Sequence, residues 1–502
     1  MAKKIVLLPL DERPCNFDYP HMMPKTECNL ILPPKEIMGK KKQAGDTDKI
    51  AAWVLENAKA ADVMILSLDT LVYGGIVPSR LHHESAETLM KRLAVIKKLK
   101  EINPEMKLYG FGLIMRCPTY SSADEEPCYY ADCGAEIHLY GKYTHLTALG
   151  GMTAADETDF ARVKGTVPAD ALDDYLTRRK TNLAVLMHAL SYAKDGTFDY
   201  FIVPQDDAAV YGFTAMDQMT VRAFLKEHTL HLKTAMYPSA DDIGLTLLAR
   251  ATNEIYGTRP RIYVHYASIK GADTVPMFED RRVGETIKYH ILSVGGIQVY
   301  SLAEADILLA VNIGSEMMEI SAPNRTTAYD IERNLAEFVN YVSYALEAGK
   351  IVSVADVAYP NTADPELTAL LSRENLLLKL HAYAGWNTSS NTIGTVLCQA
   401  ILYQTGRDDA GNTLFLLHRY YEDIGYMAHT RRLVYKTLLP PLGMSWSEVD
   451  GPDGQAAALV KAELVRYMQE SYPALAALVN RVTVRLPWSR MFEADVKLNG
   501  PA

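Results

Sequence analysis

The feature that most constrains the fold is a repeated alternation of short apolar runs and amphipathic helical segments up to about residue 390. Runs such as Lys4–Leu10, Val63–Leu68 and Tyr200–Val203 have strand length, and segments with helical spacing follow them. Strands that alternate with helices form right-handed βαβ units and a parallel sheet. We count eight or nine such strands, which predicts a (β/α)8-type parallel barrel. Two open doubly wound α/β sheets are the alternative.

Two changes of pattern suggest how the chain is divided. From about residue 400 helical periodicity dominates, and a strand pattern returns only at Val482–Leu486. We therefore predict an α/β barrel-like catalytic domain over residues 1–398 and a mainly helical C-terminal region over residues 399–502. The segment 117–150 is rich in Tyr, Asp and Gly and has little periodicity. Such a segment inside a compact domain indicates a functional insertion or lid.

Charge and composition exclude several classes of partner. The net charge of −10 provides no basic surface for nucleic acid or anionic lipid. No apolar run is long enough to span a bilayer, and the short N-terminal run is followed at once by Asp11-Glu12-Arg13, unlike a secretory signal. The six cysteines do not form a disulfide framework. We expect a cytoplasmic protein without nucleic-acid or membrane partners. The sequence is compatible with an oligomer.

The sequence carries no recognisable cofactor motif. Neither a G-x-G-x-x-G segment after the first strand nor a phosphate-binding P-loop is present. Cys128, Cys133, His138 and His145 have a spacing that matches no established zinc pattern. We therefore expect neither a bound cofactor nor a structural metal.

Polar residues follow the carboxyl ends of the predicted strands throughout the α/β region. Because the carboxyl ends of parallel barrel strands surround one mouth, we expect these side chains to converge. Carboxylates and amides pair with hydroxyl groups, and aromatic rings pack on sugar faces, so the set favours a small carbohydrate substrate. A single Asp after a strand can instead cap the next helix, and Asp241 is the best example. The residues predicted to bind substrate are Asp11, Arg13, Asp69, Arg80, Asp241, Asp356, Asn361, Trp386, Asn387 and Asn391.

Asp206 and Asp207 are the predicted catalytic residues. They follow the apolar run Tyr200–Val203 directly, although Asp is a poor strand former and costly to bury unpaired. Two neighbouring carboxyl groups raise the pKa of one of them, so that one is protonated and the other ionised near neutral pH. Glycoside hydrolysis needs that division between an acid and a partner carboxylate.

Three functions are compatible with this pattern. The first is a glycoside hydrolase acting on a small sugar or oligosaccharide, with N-acetylhexosaminides as one candidate class. The second is a carbohydrate or nucleotide-sugar binding protein or transferase built on two open sheets. The third is a metal-dependent hydrolase, because clustered Asp and Asn can bind Mg²⁺ or Ca²⁺. Strands Lys4–Leu10 and Lys350–Ala355 would be neighbours in a barrel but not in two open sheets.

Motifs along the whole chain carry a family resemblance. They are Leu10–Pro14, Leu68-Asp69, Tyr73–Gly75, Pro78–Arg80, Gln205–Ala208, Ala384–Thr388 with Asn391, and Pro487-Trp488 with Phe492-Glu493. By these motifs the chain resembles the domain-of-unknown-function family 4127, an uncharacterised bacterial group. This resemblance implies no particular activity.

A looser likeness concerns the paired acids alone. An Asp-Asp pair after the fourth barrel strand is similar to that of the substrate-assisted N-acetylhexosaminidases. That likeness implies that Asp206 orients the acetamido group of the substrate and that Asp207 is the acid/base. It also implies that Asn387 and Asn391 hold the sugar.

Overall fold

The computed structural model describes residues 2–314, 318 and 327–499, and it is a mixed α/β structure with parallel sheets. The strands are β1 (Lys4–Leu8), β2 (Asn29–Ile31), β3 (Val63–Ser67), β4 (Lys107–Phe111), β5 (Tyr200–Gln205), β6 (Thr234–Pro238), β7 (Arg261–Tyr266), β8 (Ile297–Val299), β9 (Ile307–Asn312), β10 (Ile351–Asp356), β11 (Ala382–Ala384), β12 (Arg481–Arg485) and β13 (Asp495–Asn499). The predicted apolar runs thus form strands within a few residues of their expected bounds.

The α-helices connect these strands and dominate the last hundred residues. They are α1 (Pro14–Phe17), α2 (Tyr19–Met22), α3 (Thr47–Ala58), α4 (Leu68–Tyr73), α5 (Ile76–Ser79), α6 (Ala86–Leu93), α7 (Val95–Ile102), α8 (Tyr130–Leu149), α9 (Ala154–Thr166), α10 (Ala169–Lys194), α11 (Phe213–Glu227), α12 (Ile243–Tyr256), α13 (Val283–Ser293), α14 (Thr327–Glu332), α15 (Leu335–Glu347), α16 (Pro365–Arg373), α17 (Ser389–Gly406), α18 (Asp409–Arg419), α19 (Arg431–Leu433), α20 (Gln455–Ser471) and α21 (Pro473–Ala476). Two π-helical segments, Tyr420–Thr430 and Val434–Leu438, follow α18 and α19.

The chain forms two compact units. The first unit contains Met1–Glu12, Asn29–Leu247 and Phe278–Arg281, and the second contains Arg13–Cys28, Leu248–Met277 and Arg282–Ala502. The predicted border at residue 398 lies inside α17, whose helix runs without a break from Ser389 to Gly406. Residues 399–502 therefore belong to the second unit together with β7–β11.

The sheet of the first unit has the strand order β2-β1-β3-β4-β5-β6, and all of its pairs are parallel. β3 and β5 are buried along their whole length. A strand covered by helices on both faces needs apolar side chains on both faces, which is why these segments read as continuous apolar runs.

The sheet of the second unit has the order β11-β10-β9-β7-β8 and is also parallel. Counted from its own first strand, this order is 2-1-3-4-5, the arrangement of flavodoxin-like doubly wound folds. The C-terminal part adds an antiparallel hairpin of β12 and β13. The sequence predicted β12 but not β13.

The predicted closed barrel is wrong. β1 lies in the first sheet and β10 in the second, so the two strands that a barrel would make neighbours belong to separate sheets. In each sheet the second strand lies outside the first, and the third returns to the other side of the first. That reversal leaves an open sheet with two edges, whereas a barrel adds each new strand on the same side.

The segment 117–150 has more regular structure than its weak periodicity indicated. Its second half is the helix α8, which departs from helical geometry only at Cys133. α8 packs with α9 and α10 around buried side chains that include Ile137, Val163 and Tyr175. The second half of the predicted insertion or lid is therefore an ordered helical layer, and the residues before Tyr130 lack regular structure.

Candidate functional site

The catalytic pair of the prediction follows β5 at the carboxyl edge of the first sheet. The last residue of β5, Gln205, is held by its side chain, which accepts a hydrogen bond from Arg281 Nη2 at 2.5 Å and donates one to Asp280 Oδ2 at 3.1 Å. Asp207 then adopts a left-handed backbone conformation with φ of 44°. Asp tolerates this conformation better than most residues. The left-handed conformation interrupts the regular strand geometry, in which successive side chains point to opposite faces of the sheet. Both carboxyl groups can then lie on the same side.

Two arginines bring the acids together in a strand-end ion cluster, which consists of Arg80, Arg116, Glu125, Glu126, Asp206 and Asp207. Arg80 Nη2 donates to Asp206 Oδ2 at 2.6 Å. Arg116 Nη1 lies 3.3 Å from Asp207 Oδ2 and 3.9 Å from Asp206 Oδ2. The predicted pair therefore shares one guanidinium group.

The other half of the strand-end ion cluster comes from the irregular segment before α8. Glu125 Oε2 accepts hydrogen bonds from Arg80 Nη1 at 2.9 Å and Arg116 Nη2 at 3.1 Å, and Glu126 Oε1 accepts from Arg116 Nε at 2.8 Å. The guanidinium groups are buried, whereas the side chains of Asp206 and Asp207 are 17% and 18% exposed. The acids therefore form the solvent-facing side of the cluster.

The protonation of Asp207 is set by its surroundings. Burial, followed by the negative charge of Asp206, raises the pKa of Asp207 to about 7, although Arg116 and Arg80 act in the opposite direction. A carboxylic acid with this pKa is partly protonated at neutral pH. Asp207 can therefore donate a proton there, which an unperturbed Asp cannot do.

Asp69 and Arg80 are positioned by the turn that follows β3. Asp69 lies in the short helix α4, and Ser67 caps this helix by accepting from Thr70 N. Gly74 ends the helix at φ of 83°, where a Cβ atom would come within 2.6 Å of Gly45 N. Only glycine fits this turn, which leads into α5 and Arg80.

The pKa of Asp69 is also raised by its surroundings. Burial raises its pKa to about 6, and it accepts a hydrogen bond from Leu113 N at 3.1 Å.

A cavity of about 20 Å³, lined by Asp69, Arg80 and Asp206 among others, has the volume of one water molecule. β1 and β3 are neighbours in the sheet. Just beyond their carboxyl ends, Thr70 Oγ1 donates a hydrogen bond to Leu10 O at 2.7 Å. In doubly wound sheets ligands bind at the edge where the strand order reverses.

Asp11 and Asp241, which were also predicted to bind substrate, are buried after β1 and β6 at this same edge. The first unit thus holds Asp11, Asp69, Arg80, Asp206, Asp207 and Asp241 of the predicted residues.

The sequence prediction omitted four residues of the site. Arg116 follows the apolar run Leu108–Met115 but is not among the predicted site residues, and Glu125 and Glu126 lie in the predicted insertion. Tyr120 is 46% exposed and lies close enough to Arg116 and Asp207 to interact electrostatically with both. The adjacent pair Glu125-Glu126, in a segment predicted to be a functional insertion or lid, was the available signal.

The remaining predicted residues, Arg13, Asp356, Asn361, Trp386, Asn387 and Asn391, belong to the second unit. Arg13 lies over the ring of Trp488 at 4.7 Å and pairs with Glu493 at 3.7 Å. Trp386 is buried, and its Nε1 donates to Thr395 Oγ1 at 3.3 Å. The backbone N of Asn361 donates to Asn387 O at 2.8 Å, and both asparagines have positive φ.

Asp356 is the last residue of β10 and is fully buried. Its Oδ1 accepts from Asn312 Nδ2 at 2.8 Å, and its Oδ2 accepts from Asp364 N at 2.7 Å and from Tyr383 Oη at 2.9 Å. Burial and then the charge of Asp364 raise its pKa to about 7. Asp364 pairs with the buried Arg333.

A larger cleft of about 1030 Å³ lies elsewhere in the second unit, lined by residues of α2, α18 and β13. None of the predicted site residues lines it. Over residues 2–314, 318 and 327–499, no group of three His, Cys, Asp or Glu side chains is placed to hold a metal ion. No helix in the described part of the chain is long and apolar enough to cross a membrane.

The comparison with protein families decides which group the chain belongs to. The family model of DUF4127, described as a protein of unknown function, matches residues 5–497. The chain belongs to this family. No curated protein matches the sequence. The likeness to the barrel N-acetylhexosaminidases is not confirmed, and it loses its structural basis because β5 lies in an open sheet.

In this DUF4127 protein, several motifs that carried the family resemblance border the strand-end ion cluster. Tyr73–Gly75 forms the turn from α4 to α5, Pro78–Arg80 ends α5, and Gln205–Ala208 follows β5. They deliver Arg80 and the acid pair to the same place. The motif residues of the first unit thus contribute directly to the candidate site.

Proposed function

We propose that the protein is a glycoside hydrolase in which Asp207 is the general acid and Asp206 its charged partner. The observation that carries this proposal is the position of the acid pair, in which Arg116 Nη1 lies 3.3 Å from Asp207 Oδ2 and 3.9 Å from Asp206 Oδ2 at the solvent-facing side of the cluster. Burial and then the charge of Asp206 raise the pKa of Asp207 to about 7. A general acid works best when its pKa lies near the working pH. The proton of Asp207 would pass to the oxygen of the leaving group.

Asp206 supplies the second carboxylate that the reaction needs. It accepts a hydrogen bond from Arg80 at 2.6 Å and lies beside Asp207 on the same guanidinium group. A carboxylate in this place stabilises the positive charge that develops on the sugar ring. With an N-acetylhexosaminide, which is the finer version of the proposal, Asp206 would orient the acetamido group.

Exposed aromatic side chains favour a sugar as the ligand. Tyr120 is near Asp207, and Tyr211 follows the acid pair by four residues and is also exposed. Flat rings at the rim of a polar site pack on the apolar faces of sugars, while carboxylates bind the hydroxyl groups. This arrangement fits a small, uncharged carbohydrate.

A nucleotide-sugar binding protein or transferase is the second candidate, and the two open doubly wound sheets favour it. The charges of the strand-end ion cluster weigh against it. Glu125, Glu126, Asp206 and Asp207 outnumber Arg80 and Arg116, so a diphosphate there would be repelled.

The test is a screen of aryl glycosides, including N-acetylated ones, and of nucleotide sugars, with and without a chelator. Asp207→Asn is expected to lower kcat about 10²- to 10⁴-fold, the usual contribution of a general acid. The wild-type rate should fall as the pH rises through about 7, because Asp207 then loses its proton. Turnover that is lost with the chelator would instead favour the metal-dependent hydrolase.

Asp199→Asn is the matched control. Asp199 lies at the opposite end of the same strand and accepts hydrogen bonds from Lys100, Lys107 and Leu108 N. The Asp199→Asn variant should retain full activity. If Asp207→Asn keeps near-wild-type turnover, the assignment of Asp207 is wrong. If the only turnover is with nucleotide sugars, the second candidate replaces the first.

A further inference from the structure

The loop that carries the acid pair is fastened at both of its ends. Residues 206–212 connect β5 to α11, and the first end is fixed by the contacts of the Gln205 side chain. At the other end, the backbone N of Gly212 donates a hydrogen bond to Nδ1 of His145 on α8 at 3.3 Å. Tyr211, just before this end, is 41% exposed. The loop therefore presents an aromatic ring to solvent next to its anchor on α8.

The helix α8 is shaped to receive the end of this loop. Gly141 lies four residues before His145, so both residues lie on the same face of the helix. A Cβ atom at Gly141 would come within 2.6 Å of Phe213 Cδ2, so the first residue of α11 packs directly against α8. Gly212 has φ of 130°, a conformation that residues with a side chain rarely adopt. The two glycines thus let the end of the loop approach α8 closely.

His145 contributes more than packing at this position. Its side chain is 5% exposed, and burial lowers its pKa, so the ring is neutral. Because Nδ1 accepts from Gly212 N, the ring proton lies on Nε2, which is buried and has no hydrogen-bond partner in the described part of the chain. A leucine would fill an apolar site without leaving a buried N–H unpaired. What the histidine adds over an apolar side chain is therefore the acceptor at Nδ1.

The same ring also contacts the exposed aromatic residue of the loop. The rings of His145 and Tyr211 meet edge to face, with their centroids 5.8 Å apart. Tyr211 follows Asp207 by four residues, so the extended chain between them spans at most about 14 Å. A ring that is already held in place loses less freedom when it packs on a sugar, which favours binding.

We propose that His145 is a positioning residue that holds Tyr211 and the end of the loop 206–212 in place for the sugar of the substrate. The inference rests on the proposed function, because it assigns Tyr211 to substrate binding. Asp207 is held separately by Arg116, whose Nη1 lies 3.3 Å from its carboxyl group. The contacts of His145 therefore affect binding of the sugar more than transfer of the proton.

The test compares His145→Leu with His145→Asn, in which Oδ1 takes the place of Nδ1 and can accept the same hydrogen bond. His145→Leu should raise KM for an aryl glycoside about three- to tenfold with little change in kcat, the usual effect of one hydrogen bond. Deuterium exchange at the Gly212 amide, read by mass spectrometry on fragments that contain it, should accelerate by a similar factor. His145→Asn should restore both, and thermal melting shows that each variant is folded.

His188→Leu is the matched control, because the ring of His188 also meets a tyrosine, Tyr192, edge to face, but within α10. This control should change neither KM nor the exchange of Gly212. Unchanged exchange of Gly212 in folded His145→Leu overturns the proposal, and so does faster exchange with an unchanged KM.

A folded His145→Asn variant that behaves like His145→Leu also overturns the proposal, because the acceptor would then have no role. If no glycoside is turned over by the wild type, the proposed function fails. The exchange of Gly212 in that case still decides whether His145 holds the loop.

Discussion

Asp207 in the first unit and Asp356 in the second make an instructive comparison. Each stands at the carboxyl end of a parallel strand, and in each the pKa is raised to about 7 by burial and then by a neighbouring carboxyl group, Asp206 or Asp364. They differ in their contacts. Both oxygens of Asp356 accept hydrogen bonds within a closed network, whereas Asp207 keeps a solvent-facing side next to Arg116.

The difference teaches that a perturbed pKa by itself does not separate a catalytic acid from a structural one. Structural networks also perturb ionisation, because burial acts on any carboxyl group. Exposure separates the two, since the side chain of Asp207 is 18% exposed and Asp356 is 1% exposed. We therefore expect substitutions at the first site to change activity more than stability, and at the second to do the reverse.

The largest expected effect on stability is at the arginine that pairs with Asp364. Arg333→Ala should lower the free energy of unfolding by about 3–5 kcal/mol, because it leaves the buried Asp364 carboxylate without its counter-charge. Arg80→Ala should lower the free energy of unfolding less, by about 1–3 kcal/mol. Asp206 and Glu125 are partly exposed to solvent and keep Arg116 as a positively charged neighbour. Urea unfolding measures both. Equal losses would remove the distinction between the two sites.

The pH dependence of stability gives a second, intermediate test. The pKa of Asp207 rises from 3.8 to about 7 on folding, so between these values the native state binds more protons than the unfolded state. Its contribution is fully present below about pH 4 and is lost as the pH rises through about 7. Asp207→Asn removes that contribution, so the Tm of the variant relative to wild type should increase from pH 4 to pH 7.

The slope should flatten only in part, because Asp356 contributes to the wild-type slope with the same sign. Thermal melting of both proteins at several pH values measures the difference. A difference in Tm that does not vary with pH would show that Asp207 keeps an ordinary pKa, and the comparison with Asp356 would then fail.

The smallest expected effect concerns the exposed ring beside the acid pair. Tyr120→Ala should raise KM for an aryl glycoside about fivefold, roughly 1 kcal/mol of binding, with little change in kcat. Tyr120→Phe keeps the ring and should restore most of the binding. If both variants behave alike, the hydroxyl group and not the ring face contacts the substrate.

The sequence predicted the strands well, and their order poorly. Continuous apolar runs are a local property of strands buried on both faces, and so β3, β5 and β10 could be recognised one by one. Whether the next strand lies to the left or right of the previous one leaves no such local signal. A barrel and two open sheets therefore share one pattern.

The candidate site was predicted in part for the same reason. Asp206, Asp207, Asp69 and Arg80 follow strands or lie in motifs close behind them, and Arg80 contacts Asp206. Glu125 and Glu126 come from a segment far along the chain from Arg80, and nothing local shows that Glu125 bridges Arg80 and Arg116.

By itself the sequence determined the α/β class, the places of the strands and the presence of an acid pair at the end of β5. These follow from local periodicity and from the unusual position of two adjacent carboxyl groups. Only the tertiary structure decided that the sheets are open and that Asp207 rather than Asp356 is accessible. Those properties depend on which residues distant in sequence pack together, because burial and neighbouring charges set ionisation.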